Sequence, residues 1–116
     1  MINNKVNILG VEYRITIMPY DDPDLCGDDE SRAGFCCPYT KDIVISNFGN
    51  WTQEDAIEPA QKQVLRHEIT HAFLFESGLG YNSKEEEAWS MNEEMTDWIA
   101  WKGPQLYAAW KEAGCL

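Results

Sequence analysis

Apolar and polar residues alternate from Lys5 to Met18, where Val6, Ile8, Val11, Tyr13, Ile15 and Ile17 fall at strand spacing on either side of Gly10. That pattern predicts a hairpin or a bent strand pair. Pro19 to Ser31 then brings two prolines, Gly27 and five aspartates with almost nothing apolar, a composition that reads as an exposed loop. Ala33 to Cys37 and Lys41 to Ser46 flank Pro38-Tyr39-Thr40, and Ile43-Val44-Ile45 is the clearest β signal in the chain. A second hairpin is expected there, ending at Asn47-Phe48-Gly49-Asn50. Three or four short strands thus precede any helix, which predicts a small antiparallel sheet and the α+β class.

Helical spacing takes over after Trp51. Thr52 with Asp55 opens a capped turn, Pro59 suits the first turn of the main helix, and Gly78 is placed to stop it after Ser77. Leu65, Ile69, Ala72 and Phe73 lie opposite His67 and His71, and Val64, Leu74 and Phe75 flank the two histidines. Only a narrow polar strip is left around Gln63, Arg66 and Thr70, so this helix is expected to be buried on most of its circumference. After the bend at Gly78-Leu79-Gly80-Tyr81-Asn82, Ser83 and the glutamates behind it open a second helix that should run to about Lys102 and end at Gly103-Pro104. A last short helix, Gln105 to Ala113, is expected to close the core with Leu106, Tyr107 and Trp110. Trp51, Trp89, Trp98, Trp101 and Trp110 are read as core filling.

Composition narrows the function classes. With 116 residues, 44% of them hydrophobic, the chain suits one domain spanning residues 1–116 and is too short for two. A net charge of -11 with scattered basic residues argues against a nucleic-acid surface. No apolar run is long enough for a signal peptide or a membrane span, which predicts a cytoplasmic monomer with Cys26, Cys36, Cys37 and Cys115 reduced. The acidic loop lacks the ordered spacing of a calcium loop, and the cysteines lack the spacing of a zinc knuckle.

The chemistry lies in His67-Glu68-Ile69-Thr70-His71, an H-E-x-x-H pentad inside the main helix that uses both histidines of the chain. One helical turn puts the imidazoles on one face, close enough to grip a single cation, with Glu68 beside them to handle a proton. Such a cluster inside an apolar helix is costly without a partner for its charge, and a divalent cation provides one. Catalytic zinc needs a third protein ligand. Glu76 points about half a turn away from the imidazoles, which leaves Glu93 and Glu94 on the second helix. Glu93 is preferred because it borders the apolar arc of Ala88, Trp89, Met95, Ile99 and Ala100, and because Asp97 follows it by one turn, where a carboxylate can hold the second N–H of a ligating histidine. Taken alone, these acids read as solvated helix charges; the pentad opposite them changes that reading.

The pentad followed by Asn92-Glu93-Glu94-Met95-Thr96-Asp97 resembles the gluzincin metallopeptidases, in which a glutamate on a second helix completes the zinc site. Among these the chain looks most like the small phage and bacterial ImmA/IrrE metallopeptidases: Glu93, Asp97 and Ala100 match their second motif in register, while Ile99 stands where an aromatic is usual. The resemblance covers roughly residues 34–102. It implies a minimal zincin-like domain, Zn2+ as cofactor on His67, His71 and Glu93, Glu68 as the catalytic base, Asp97 behind a ligand, and an intracellular protein substrate such as a repressor. Tyr39, Tyr81 and Tyr107 are the candidate donors to the oxyanion. The rival readings are a zinc-binding interaction module without hydrolysis, carried by its acidic surface, and an acidic inhibitor or DNA mimic without metal.

Overall fold

Strands β1 (Lys5–Ile8) and β2 (Val11–Met18) form the first hairpin, closed at Leu9-Gly10. Both turn residues take positive φ, 52° and 91°, the backbone that a tight right-twisting turn requires, and the Gly10 N–H donates to Asn7 Oδ1 at 2.8 Å. In the computed structural model, which describes residues 2–80 and 91–116, β3 (Gly34–Cys37) and β4 (Asp42–Ser46) form the second hairpin. The sheet order is β1-β2-β4-β3, and β2 pairs with β4 in parallel. The α+β class holds, but the sheet is mixed rather than antiparallel. Each hairpin is antiparallel within itself, and the connection from β2 to β3 is long enough to return the chain so that β4 runs alongside β2.

That connection is not simply an exposed loop. It folds a helical turn, α1 (Pro23–Cys26), capped by Asp22, whose carboxylate accepts from the Asp24 N–H at 2.9 Å. Leu25 and Cys26 are buried, and α1 packs on β3 and β4. Val44 alternates to the face opposite Ile43 and Ile45 and is also buried, so the two apolar residues of this acidic segment help cover the back of the sheet. The other face carries Ile8, Tyr13, Ile15, Ile43 and Ile45 onto Ala72, with Val64, Leu65 and Ile69 packed around them.

Helix α2 (Glu54–Leu74) starts five residues before Pro59, which the helix includes, and it lacks a side-chain cap at Gln53. It ends in a wider π-type turn, Phe75–Leu79, where Gly78 turns to φ 89° and stops the helical path as expected. Its burial is narrower than predicted: Phe73 is exposed, because the sheet covers only one side. At the far end Glu76 accepts from Tyr13 Oη at 2.6 Å and from Lys41 Nζ at 2.9 Å, and these two partners hold its carboxyl below the usual carboxylate range. At its middle α2 is approached by β3 through Gly34, where an added Cβ would lie 2.8 Å from both the Val44 carbonyl oxygen and Val64 Cγ1.

Helix α3 (Glu93–Ala113) is one helix, not two. Asn92 caps it by accepting from the Met95 N–H at 2.8 Å, so the expected start at Ser83 does not describe this element; Ser83, Tyr81, Asn82, Ala88 and Trp89 lie outside the described residues. Gly103-Pro104 does not break it. Proline has no N–H for the carbonyl four residues back, which here is that of Ala100, and Arg66 Nε of α2 donates to that carbonyl oxygen at 2.7 Å. The predicted core filling also fails: Trp51, Trp98, Trp101, Trp110 and Tyr107 are all exposed, and the positions that α3 buries are the small Thr96 and Ala100.

Gly34→Ala should push α2 off β3 and lower stability by about 1–3 kcal/mol, read as a fall in the thermal midpoint. Arg66→Met should leave the Ala100 carbonyl unpaired and cost a similar amount. In a Pro104→Ala background, where residue 104 regains its N–H, the Arg66→Met penalty should shrink, a non-additivity that a double-mutant cycle in urea measures.

Candidate metal centre

The pentad sits midway along α2, where the helix is held between β3 on one side and α3 on the other. His67, Glu68 and His71 bring their ligating atoms within 4.8 Å of one another, a group that can hold a metal ion. The two Nε2 atoms are 3.1 Å apart. Glu93, on the first turn of α3, sets Oε1 2.6 Å from His71 Nε2 and Oε2 3.5 Å from His67 Nε2. Ligand atoms around a tetrahedral zinc with bonds of 2.0–2.1 Å lie about 3.3 Å apart, and these separations scatter around that value. The donor set is compact enough to hold a metal ion.

Asp97 stands one turn beyond Glu93. Its Oδ1 accepts from His67 Nδ1 at 2.6 Å, which aims the Nε2 lone pair at the point between the imidazoles. Glu94 lies instead on the outer face of α3 with Trp98 and Lys102. Geometry therefore places Glu93, not Glu94, against the histidines, and it leaves Glu76 with Tyr13 and Lys41. The imidazoles form a sheltered floor, with side chains 12% and 14% exposed, while Glu93 at 70% reaches in from the open side.

Glu68 is the buried carboxyl of the group. Burial pushes its pKa above the ordinary carboxylate range; His67 and His71 pull it back, Glu93 raises it further and Arg32 lowers it. A carboxyl tuned upward beside two imidazoles is suited to taking and returning a proton near neutral pH.

A cleft of about 590 Å3 opens over this group, walled by β3 on one side and by α2 with the start of α3 on the other. The Ser46 N–H donates to the Ala33 carbonyl at 2.8 Å, which marks that pair as hydrogen-bonded. Alternation then makes Phe35/Val44 and Cys37/Asp42 the bonded pairs, so the N–H and C=O of Gly34 and Cys36 face the free edge of β3. Gly34 also brings that edge against Glu68.

Of the tyrosines named as oxyanion donors, neither Tyr39 nor Tyr107 lines the cleft. Tyr39 is exposed and stacks edge-on to Phe75 at 5.6 Å, Tyr107 is exposed on the distal half of α3, and Tyr81 lies outside the described residues. Among the described lining residues the cation is Arg32, seated over the Phe35 ring at 5.0 Å. Its signal in the sequence was faint but present: it is the sole basic residue between Arg14 and Lys41. Gly34 carried no comparable signal.

No family model, no curated protein and no solved structure matches this chain. Among the described residues no helix is long and apolar enough to cross a membrane.

Because the folded-state pKa of Glu68 is raised, its protonated form favours folding. That contribution is present below the unfolded-state value and is lost as pH rises through the folded one. Chelator-treated protein should therefore gain thermal stability from Glu68→Gln at pH 7 and little or none at pH 4, as read by melting curves at the two pH values.

Proposed function

We propose that the chain is a zinc-dependent metallopeptidase that hydrolyses peptide bonds of a protein substrate. The observation that carries this reading is the convergence of His67 and His71 Nε2 with Glu93 Oε1 and Oε2, with the buried Glu68 carboxyl in the same group and Asp97 behind His67. Three nitrogen and oxygen donors with an open side are the donor chemistry of a catalytic zinc site rather than a closed structural one. When bound, zinc supplies Lewis acidity, acidifying water and polarising a carbonyl.

The rest is work for the chain's own residues. His67, His71 and Glu93 hold the ion, and Asp97 keeps the His67 proton on Nδ1. A peptide added along the open edge of β3 bonds to the N–H and C=O of Gly34 and Cys36, which lays its backbone over Glu68. Glu68 takes the proton of the attacking water and returns it to the leaving nitrogen, and burial keeps its carboxyl basic enough to do both. Arg32, at the cleft wall, offers its guanidinium to the developing oxyanion. The similarity to ImmA/IrrE-type enzymes favours a repressor-type regulator as the substrate class.

Protein purified without chelator should contain about one zinc per chain by elemental analysis and should cleave an unfolded protein such as reduced casein. Glu68→Gln should cut that rate by about a hundredfold or more with zinc content unchanged, whereas Glu93→Ala should lose the zinc. Zinc content far below this, or full cleavage by Glu68→Gln, removes the reading.

A further inference from the structure

A second recess, of about 700 Å3, adjoins the same cleft and shares Ser31, Arg32, Ala33, Gln63 and Val64 with it as common walls. Its far wall is aromatic, made by Tyr20, Phe48, Trp51 and Trp101. We infer that this recess is a subsite for an aromatic or bulky apolar side chain of the polypeptide lying on β3, about three residues to the C-terminal side of the bond over Glu68. The inference rests on the peptidase reading above.

The spacing comes from α2. Pro59 and Ala60, which line the recess, precede His67 by two turns, about 11 Å along the helix axis. An extended peptide covers that length in about three residues. Polarity comes from β3, which runs from Ala33 at the recess toward Cys37, so a strand opposing it in the commoner antiparallel sense reaches the recess with its C-terminal part.

The aromatic wall is built rather than incidental. Phe48 holds φ 53°, a left-handed backbone that is costly for an aromatic residue, and the surroundings impose it. The buried Ser46 Oγ accepts the Phe48 N–H at 2.9 Å, and Asn47 Oδ1 accepts both the Tyr20 and the Gly49 N–H, at 3.0 and 2.8 Å. Phe48 is thereby buried, and Trp51 stands edge-on to it with centroids 4.8 Å apart. Trp51 and Trp101 nonetheless remain 43% and 61% exposed. A wall whose Tyr20 and Phe48 corner is held by these hydrogen bonds, and which leaves two indoles open to solvent, suits apolar surface.

The test is a mixture of random-sequence peptides of fixed length, digested by the full zinc-loaded chain and read by mass spectrometry. Phe, Tyr, Trp and Leu should be enriched about three positions after the cut, and Trp51→Ala should reduce that enrichment roughly tenfold. Trp101→Ala, at a more exposed position, should reduce it in the same direction. Cleavage without enrichment at that position overturns the subsite and leaves the peptidase reading standing. Absence of all cleavage counts against the peptidase reading, and titration with N-acetyl-tryptophanamide followed by NMR then decides the recess by itself. Shifts centred on Tyr20, Phe48, Trp51 and Trp101 and limited to the walls of the recess support it; shifts away from those walls, or none, overturn it.

Discussion

The contact between α2 and α3 is what the candidate site depends on. Thr96 and Ala100 are small and fully buried, which lets the later helix lie close against the earlier one. Arg66 then closes the gap with its bond to the Ala100 carbonyl, which Pro104 has left without an N–H. Ala100, Asp97 and Glu93 occupy successive turns of one face, so the rung at Ala100 sets the height of the other two. A slip of one turn, about 5.4 Å, would carry both acids away from the histidines.

The opposite side of α2 is tied just as firmly. Glu76 joins the end of the helix to Tyr13 of β2 and to Lys41 of the β3–β4 turn, and Lys41 in turn lies over the Tyr13 and Phe75 rings. Lys41 is placed there by its own left-handed backbone, φ 61°. Gly34 lets the edge strand close on the middle of the helix. The imidazoles are thus fixed from three directions while Glu93 enters from solvent, an arrangement that combines a rigid floor with an open path for an ion.

Both hairpins were legible because strand alternation and turn residues are local signals, and Gly10 and Pro38 sit where the chain reverses. The parallel pairing of β2 with β4 was not, since it depends on how the acidic connection returns, and its two buried residues, Leu25 and Cys26, are too few to stand out in a polar segment. The tryptophans misled for a related reason. Periodicity shows which residues share a face of α3, but it says nothing about whether any element covers that face, and the faces carrying Trp98, Trp101 and Trp110 stay exposed while Thr96 and Ala100 are buried. Pro104 was read as a stop because the rule is local; the guanidinium that offsets it comes from 34 residues away in sequence.

The sequence by itself determined the pentad, its helix, the two hairpins and the short list of carboxylates competing to face the histidines, because each follows from spacing along one element. Only the tertiary structure decided that Glu93 and Asp97 meet the two imidazoles while Glu94 and Glu76 do not, that Arg32 stands at the cleft, and that Tyr20, Phe48, Trp51 and Trp101 gather into one recess. Those are relations between elements, set by how closely two backbones can approach, and no periodicity within a single stretch of chain carries that distance.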